Sequence, residues 1–217
     1  MRAKRVMDIL VAGLTLLILA PLMGAVGTAI AFSDGRPVLY RAIRVGQHGR
    51  PFRLYKYRTM VAGGGSFAAA GSSPAGGPPA APGSSVTLWA DPRITPLGKV
   101  LRRLKLDELP QLFNVLRGDM SLVGPRPEDP EYVALYTDEQ KRILELKPGV
   151  TSVAALQYWD EVELLKGDDW ETVYRERLIP AKLALEAEYA RSRTLWTDMR
   201  LLSRTAISLA RRIVGGR

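Results

Sequence analysis

One stretch constrains this chain more than any other. From Ile9 to Phe32 there is no charged residue, and Leu, Ala, Val and Gly dominate. The run is long enough to cross a hydrocarbon core of about 30 Å as one helix. Three placements are open. Arg2, Lys4 and Arg5 before an apolar run, with Ala29-Ile30-Ala31 near its end, resemble a secretory signal and its cleavage site. The run exceeds a usual signal core, however, and a secreted product has no use for the chemistry described below. A single spanning helix is the ordinary default. Against it, Pro21 removes a backbone donor and clashes with the preceding turn, which predicts a kink or break at Ala20-Pro21. Basic residues also flank both ends: Arg2, Lys4 and Arg5 before, Arg36, Arg41 and Arg44 after. Basic flanks favour the cytoplasmic side, and here both do. A re-entrant helix over residues 1–36 satisfies both flanks, provided its break hides the freed backbone groups. That placement is preferred to the span. Asp8, at the edge of the run, reads as a helix-terminal carboxylate near the interface.

The remaining residues, 37–217, read as one small domain. Val38-Leu39-Tyr40 and Phe52-Arg53-Leu54-Tyr55-Lys56-Tyr57 are extended pieces, separated by turn signals at Gly46 and Gly49-Arg50-Pro51, and predict a hairpin. Residues 62–85 are rich in Gly, Ala, Ser and Pro and nearly uncharged, so they read as a flexible inserted loop. Leu97, Val100, Leu101 and Leu104 line one helical face, with Lys99, Arg102, Arg103 and Lys105 elsewhere. A second short helix is predicted from Pro110 to Leu116 and stops at Gly118. Asp129-Pro130 reads as an N-cap, and Thr137 with Gln140 as a capping box. A long helix follows from about Pro180 to Arg191. Residues 195–214 mix Trp196, Met199, Leu202, Ile207 and Ile213 with Arg200, Arg204, Arg211 and Arg212, an amphipathic segment suited to anionic lipid. The expected class is α+β, mostly helical: a membrane-embedded N-terminal helix, one globular catalytic domain with a minor β-hairpin, and interfacial helices.

Lysine and arginine number 31 against 22 acidic residues, a formal net charge of +9. That excess calls for an anionic partner: nucleic acid, a membrane surface or a phosphorylated substrate. With only four Phe and eight Tyr, and no alternation of basic and aromatic residues, base stacking is disfavoured and no nucleic-acid partner is expected. Cysteine is absent, which excludes disulfides and thiolate zinc sites. His48 is the single histidine, in a Gly-flanked turn, so Ser–His and Cys–His nucleophiles are excluded too. Carboxylate and arginine chemistry remains. Asp107 and Glu108 are adjacent, ahead of a helix start at Pro110 that attracts anions. Successive helical side chains point about 100° apart, so one carboxylate can attack or bind metal while its neighbour handles a proton. Capping and surface ion pairs to Arg102 and Arg103 are the plainer reading of that dipeptide alone. In Pro125-Arg126-Pro127 the prolines stiffen the backbone around an arginine, which suits bidentate phosphate binding.

Several segments carry a resemblance when read together. They are Lys4-Arg5 with Asp8, the apolar run broken at Pro21, Tyr55-Lys56-Tyr57-Arg58-Thr59-Met60, Asp91-Pro92-Arg93-Ile94-Thr95 and Leu101-Arg102-Arg103. Next come Asp107-Glu108-Leu109-Pro110-Gln111-Leu112-Phe113-Asn114-Val115-Leu116, Gly118 to Pro127, and Lys147-Pro148-Gly149-Val150-Thr151. In order over roughly Lys4 to Thr151, they resemble the bacterial sugar transferases, the monotopic phosphoglycosyl transferases. The resemblance implies a re-entrant helix kinked at Ala20-Pro21 in the bacterial cytoplasmic membrane, with the globular part on the cytoplasmic face. It implies Mg²⁺ as cofactor, bound at Asp107, and a ping-pong transfer from a UDP-sugar to a polyprenyl phosphate. Asp107 would attack the sugar-bearing phosphate and release UMP; Glu108 would assist proton removal from the acceptor. Arg126 and Arg102 are the expected phosphate ligands, with Lys56 and Arg58 either joining them or anchoring the interface. Arg103, Asp91, Arg93, Glu186 and Asp198 are further candidates.

The chain departs from the family pattern at Ser152-Val153-Ala154-Ala155, where many members carry Gly-Trp-Ala-Gln, and in its long Ala/Gly/Ser/Pro loop. Both leave the sugar unassigned. The competing reading outside enzymes is a membrane-anchored adaptor whose basic face binds anionic lipid. The oligomeric state is open, a homodimer included.

Overall fold

The computed structural model describes residues 2–61, 91–165 and 169–215. The loop expected at 62–85 lies outside the described residues. Helix α1 runs from Arg2 to Ser33 with Pro21 inside it. The break expected at Ala20-Pro21 does not interrupt the helix, because one proline deletes one N–H bond and leaves the flanking turns bonded. Ala12, Val26 and Ile30 are buried against the domain, whereas Leu14, Leu17, Ile18 and Phe32 are exposed.

Both ends of α1 are tied down. Near its start, Lys4 Nζ donates to the Val123 carbonyl at 3.0 Å and pairs with Asp198. Arg5 donates to the carbonyls of Val115 and Leu116. Asp8 is not the interfacial carboxylate expected from its position. It is 2% exposed and accepts from Ser121 Oγ at 2.9 Å and the Leu122 amide at 3.2 Å. At the other end Arg58 donates to the carbonyls of Asp34 and Gly35, and Thr95 Oγ1 to Asp34 Oδ2 at 2.9 Å.

The hairpin forms as expected: β1 (Leu39–Val45) pairs antiparallel with β2 (Pro51–Tyr57), with Ala42 opposite Leu54. Those two residues enter the main core with Ala12, Leu112, Val115, Met120 and Leu201. Helix α2 (Pro96–Arg103) starts at Thr95, whose Oγ1 accepts from the Gly98 amide at 2.9 Å. Lys105 then takes a left-handed conformation, φ 55°, and opens the 3₁₀ turn Leu106–Glu108. Helix α3 (Gln111–Arg117) follows and ends at Gly118, whose φ of 92° suits a residue without Cβ.

A second, unforeseen sheet joins β3 (Ser121–Val123) to β4 (Gly149–Thr151) in parallel, with Ser121 facing Gly149 and Val123 facing Thr151. The strands meet so closely that a Cβ on Gly124 would lie 2.3 Å from the Lys147 carbonyl oxygen. Between them lie α4 (Pro130–Val133), capped by Asp129, and α5 (Asp138–Lys141), whose capping box at Thr137 and Gln140 is present. Then come α6 (Val153–Gln157), α7 (Glu161–Leu164) and α8 (Trp170–Thr172). A π-helical turn, Val173–Leu178, leads into α9 (Ile179–Ser192), and α10 (Leu195–Gly215) closes the described chain. Tyr132, Tyr136, Ile143, Tyr174, Leu178 and Leu183 form a second core beneath α9. On α10, Asp198 and Leu201 face inward while Trp196, Met199, Ile207 and Ile213 stay exposed. The chain is thus mostly helical with a small two-sheet β content.

Candidate active site

The turn between α2 and α3 presents Asp107 and Glu108 to a ring of cations drawn from three other elements. Lys56 on β2 donates to Glu108 Oε1 at 3.3 Å. Arg126, on the loop after β3, brings Nη2 to 3.9 Å from the same oxygen. Arg102, on the last turn of α2, is aimed by its Nε bond to Thr59 Oγ1 at 2.8 Å, and its charge acts on Asp107. Gly124 and Gly149 let the two short strands close up, and the Gly149 amide donates to the Pro125 carbonyl at 2.8 Å. That bond fixes the stiff Pro125-Arg126-Pro127 segment beside Glu108.

The adjacent carboxylates are driven in opposite directions. Burial pushes the Asp107 carboxyl up, opposed by Lys56, while Glu108 adds to the rise. Burial would raise Glu108 too, but Lys56, Arg126 and Lys105 outweigh it and hold that carboxyl well below the usual range. Burial lowers the Lys56 ammonium against the pull of Glu108. For Arg126 the carboxylates of Glu108, Glu161 and Glu128 overcome burial, so it stays a firm cation. Titratable neighbours with separated proton affinities suit divided roles. Asp107 is 8% exposed, and its Oδ1 is buried without a hydrogen-bond partner. A carboxylate oxygen short of donors is available to attack or to meet a cation.

Among the described residues no cluster of three or more Asp, Glu, His or Cys forms a metal cage. Mg²⁺ does not require one: it commonly takes one or two carboxylates and completes its shell with water and substrate phosphates. The free Asp107 Oδ1 fits that mode.

The other predicted residues divide. The Asp91–Arg93 pair, closed at 2.5 Å, lies close enough to Arg102 for both charges to act on it. Arg103 is exposed on α2. Arg58 is 7% exposed and turns to the end of α1, where it holds the Asp34 and Gly35 carbonyls. In this structure its Nη2 clamps the end of that helix. Asp198 is likewise structural: 2% exposed, it joins Lys4 of α1 to Tyr189 Oη, which donates at 2.6 Å. Glu186 is 3% exposed on α9 behind Arg126 and accepts from the Ala154 amide at 3.3 Å. Burial pushes its carboxyl up to about 7, against the Ser152 hydroxyl, the Ala154 amide and Lys182.

Sequence reasoning missed two features. Lys105, immediately before the dyad turn, acts electrostatically on both carboxylates, and its Nζ lies 5.6 Å from the centre of the Trp159 ring. Lys182 is 4% exposed and joins Glu128 to Glu161. The only signals were the position of Lys105 beside Asp107 and the four-residue spacing of Lys182 and Glu186 on one helix.

Comparison with known proteins places the chain in a family. Over 209 residues the chain is 36% identical to an undecaprenyl-phosphate galactose phosphotransferase of Salmonella typhimurium, covering 96% of this chain and 40% of that protein. It is 35% identical, over 209 residues, to a UDP-glucose:undecaprenyl-phosphate glucose-1-phosphate transferase of Caulobacter vibrioides, at 95% and 69%. An exopolysaccharide production protein, ExoY, of Sinorhizobium fredii is 37% identical over 79% of this chain and 76% of its own. The chain thus spans less than half of the Salmonella relative and about two thirds or more of the other two. The family model described as bacterial sugar transferase matches residues 1–212, which take in both tied ends of α1, the dyad turn and the arginine loop, and the chain belongs to that family.

Proposed function

We propose that this chain transfers a sugar-1-phosphate from a UDP-sugar to a polyprenyl phosphate, giving polyprenyl-diphosphate-sugar and UMP. The observation that carries the reading is the dyad: a buried Asp107 with one unpartnered oxygen, beside a Glu108 held ionised by Lys56 and Arg126. An Asp107 oxygen attacks the sugar-bearing phosphorus. The bond to the bridging oxygen breaks, and UMP departs with that oxygen. An aspartyl phosphosugar ester remains on the enzyme. A polyprenyl phosphate oxygen then attacks the same phosphorus, and the Asp107–phosphorus bond breaks to restore the carboxylate. Glu108 takes the acceptor's proton when it arrives protonated. Lys56, Arg102 and Arg126 bind the phosphates and oppose the charge that gathers on their oxygens during transfer. Asp107 would hold Mg²⁺ when it is bound, and the ion would supply further charge neutralisation.

The acceptor is a lipid, and α1 suits a seat in the inner membrane with the catalytic domain on its cytoplasmic face. A helix crossing the bilayer sends one end to the far side. Here both ends bond to the same domain, while Leu14, Leu17 and Ile18 between them are exposed. This supports a monotopic seat, with exposed Trp196, Met199 and Ile207 of α10 at the interface.

The test is UMP release by purified, lipid-bound protein from a panel of UDP-sugars, with Mg²⁺ and undecaprenyl phosphate, beside Asp107→Asn. Mg²⁺-dependent UMP from one sugar, lost in the variant, is expected and identifies the donor. No UMP from any donor in folded protein sinks the reading and favours the lipid-binding adaptor.

A further inference from the structure

We propose that Lys182 is a positioning residue for Arg126: by pairing with Glu128 and Glu161 it leaves the Arg126 guanidinium free to face Glu108 and the donor phosphate. The inference rests on the function proposed above.

Lys182 comes from α9, on the side of Arg126 away from the dyad. Its Nζ lies 3.3 Å from Glu128 Oε1 and 3.0 Å from Glu161 Oε2. It also sits 5.4 Å from the centre of the Tyr174 ring, whose hydroxyl donates to Glu128 at 3.3 Å. Glu128 is fixed by its backbone as well, since its carbonyl accepts from the Val45 amide at 3.1 Å. Arg126, Glu128, Lys182 and Glu186 line one narrow recess. A lysine so deeply buried, and touching no residue of the dyad, is costly unless paired.

The charge count explains its presence. Three carboxylates bear on Arg126: Glu108 at 3.9 Å, with Glu161 and Glu128 behind it. Lys182 takes up the rear pair, so Glu108 is the one carboxylate within ion-pair range of Arg126 among the described residues. Remove Lys182, and Arg126 becomes the strongest cation acting on Glu128, while Glu161 loses its ion-pair partner. Glu128 lies two residues away on the same loop, so a modest side-chain rotation would draw the guanidinium back from the dyad. The phosphate site would lose its bidentate ligand with every dyad residue still in place. Glu161→Gln should reverse this, because it removes one negative charge along with the lost positive one.

The experiment measures kcat and KM for the active UDP-sugar in lipid nanodiscs for four variants: Lys182→Met, Lys182→Met/Glu161→Gln, Arg126→Ala, and Arg126→Ala/Lys182→Met. Thermal unfolding is followed in parallel. Expected are at least a tenfold fall in kcat/KM for Lys182→Met, carried mainly by KM, and recovery to within threefold of the parent in Lys182→Met/Glu161→Gln. Within the Arg126→Ala background Lys182→Met should change kcat/KM by less than twofold. Equal losses in both backgrounds, or no loss in a folded Lys182→Met, overturn the proposal. If Lys182→Met fails to fold, the charge-balanced double variant decides: kcat/KM still tenfold down in folded protein overturns it. A parent without UMP release rejects the proposed function instead, which separates the two failures.

Discussion

Replacing Glu186 by glutamine should stabilise this protein at alkaline pH and hardly change it under mildly acid conditions. The carboxyl is 3% exposed, and its Oε2 is buried without a hydrogen bond. Burial, only partly opposed by the Ser152 hydroxyl, the Ala154 amide and Lys182, holds it at about 7 against an ordinary 4.5. At about 1.4 kcal/mol per pH unit, that gap corresponds to roughly 3 kcal/mol. The sign follows from the direction. A folded-state value above the unfolded one means the contribution is complete below about pH 4.5 and lost as pH rises through 7. Wild-type stability from this group therefore declines between about pH 4.5 and 7, whereas glutamine, neutral throughout, has no such dependence. For a chain of this size each kcal/mol moves the melting temperature by roughly 2–4 °C. The variant should then melt roughly 6–12 °C above wild type at pH 8, with the gap nearly closed at about pH 4. Other titrating groups cancel in the comparison. The assay is thermal unfolding of both proteins in identical nanodiscs, at one scan rate because membrane-protein unfolding is commonly irreversible. A gap that stays constant across that range, or a variant that melts lower at pH 8, would refute the reasoning.

Three further outcomes are expected. Lys56→Met removes the strongest cation acting on both Asp107 and Glu108, so both carboxyls should rise and the acid limb of kcat/KM should move up by about 1–3 pH units; an unmoved limb argues against Lys56 as the cation that keeps the dyad ionised. Gly124→Ala places a methyl 2.3 Å from the Lys147 carbonyl oxygen and forces β3 from β4, at a cost of about 1–3 kcal/mol, read as a lower melting temperature and reduced activity from a displaced Arg126. Asp8→Ala strips the acceptor from Ser121 Oγ and the Leu122 amide, both buried, and should cost about 2–4 kcal/mol; a melting temperature within error of wild type would show that α1 is not held there.

What the residues determine locally was legible before any fold was known. The capping box at Thr137 and Gln140, the Asp129 N-cap, the hairpin over Leu39–Tyr57 and the stop at Gly118 all form where short-range chemistry placed them. Asp107, Glu108, Arg126, Arg102 and Lys56 stood out through the family resemblance of their motifs; local chemistry alone left capping and surface ion pairs as the plainer reading of the Asp107-Glu108 dipeptide. Longer-range outcomes were not legible. Three-residue strands such as Ser121–Val123 carry no period to detect, and their parallel pairing depends on Gly149 arriving beside Gly124. Arg58 clamps α1 because that helix ends against it, a contact that no short motif announces. Asp8 looked interfacial and became a buried acceptor for β3. The fate of a charged side chain depends on which distant donors and cations surround it, and only the tertiary structure decides that. Asp107 and Glu108 show this most sharply: they adjoin in sequence and so look alike there, yet burial governs one and Lys56 with Arg126 governs the other.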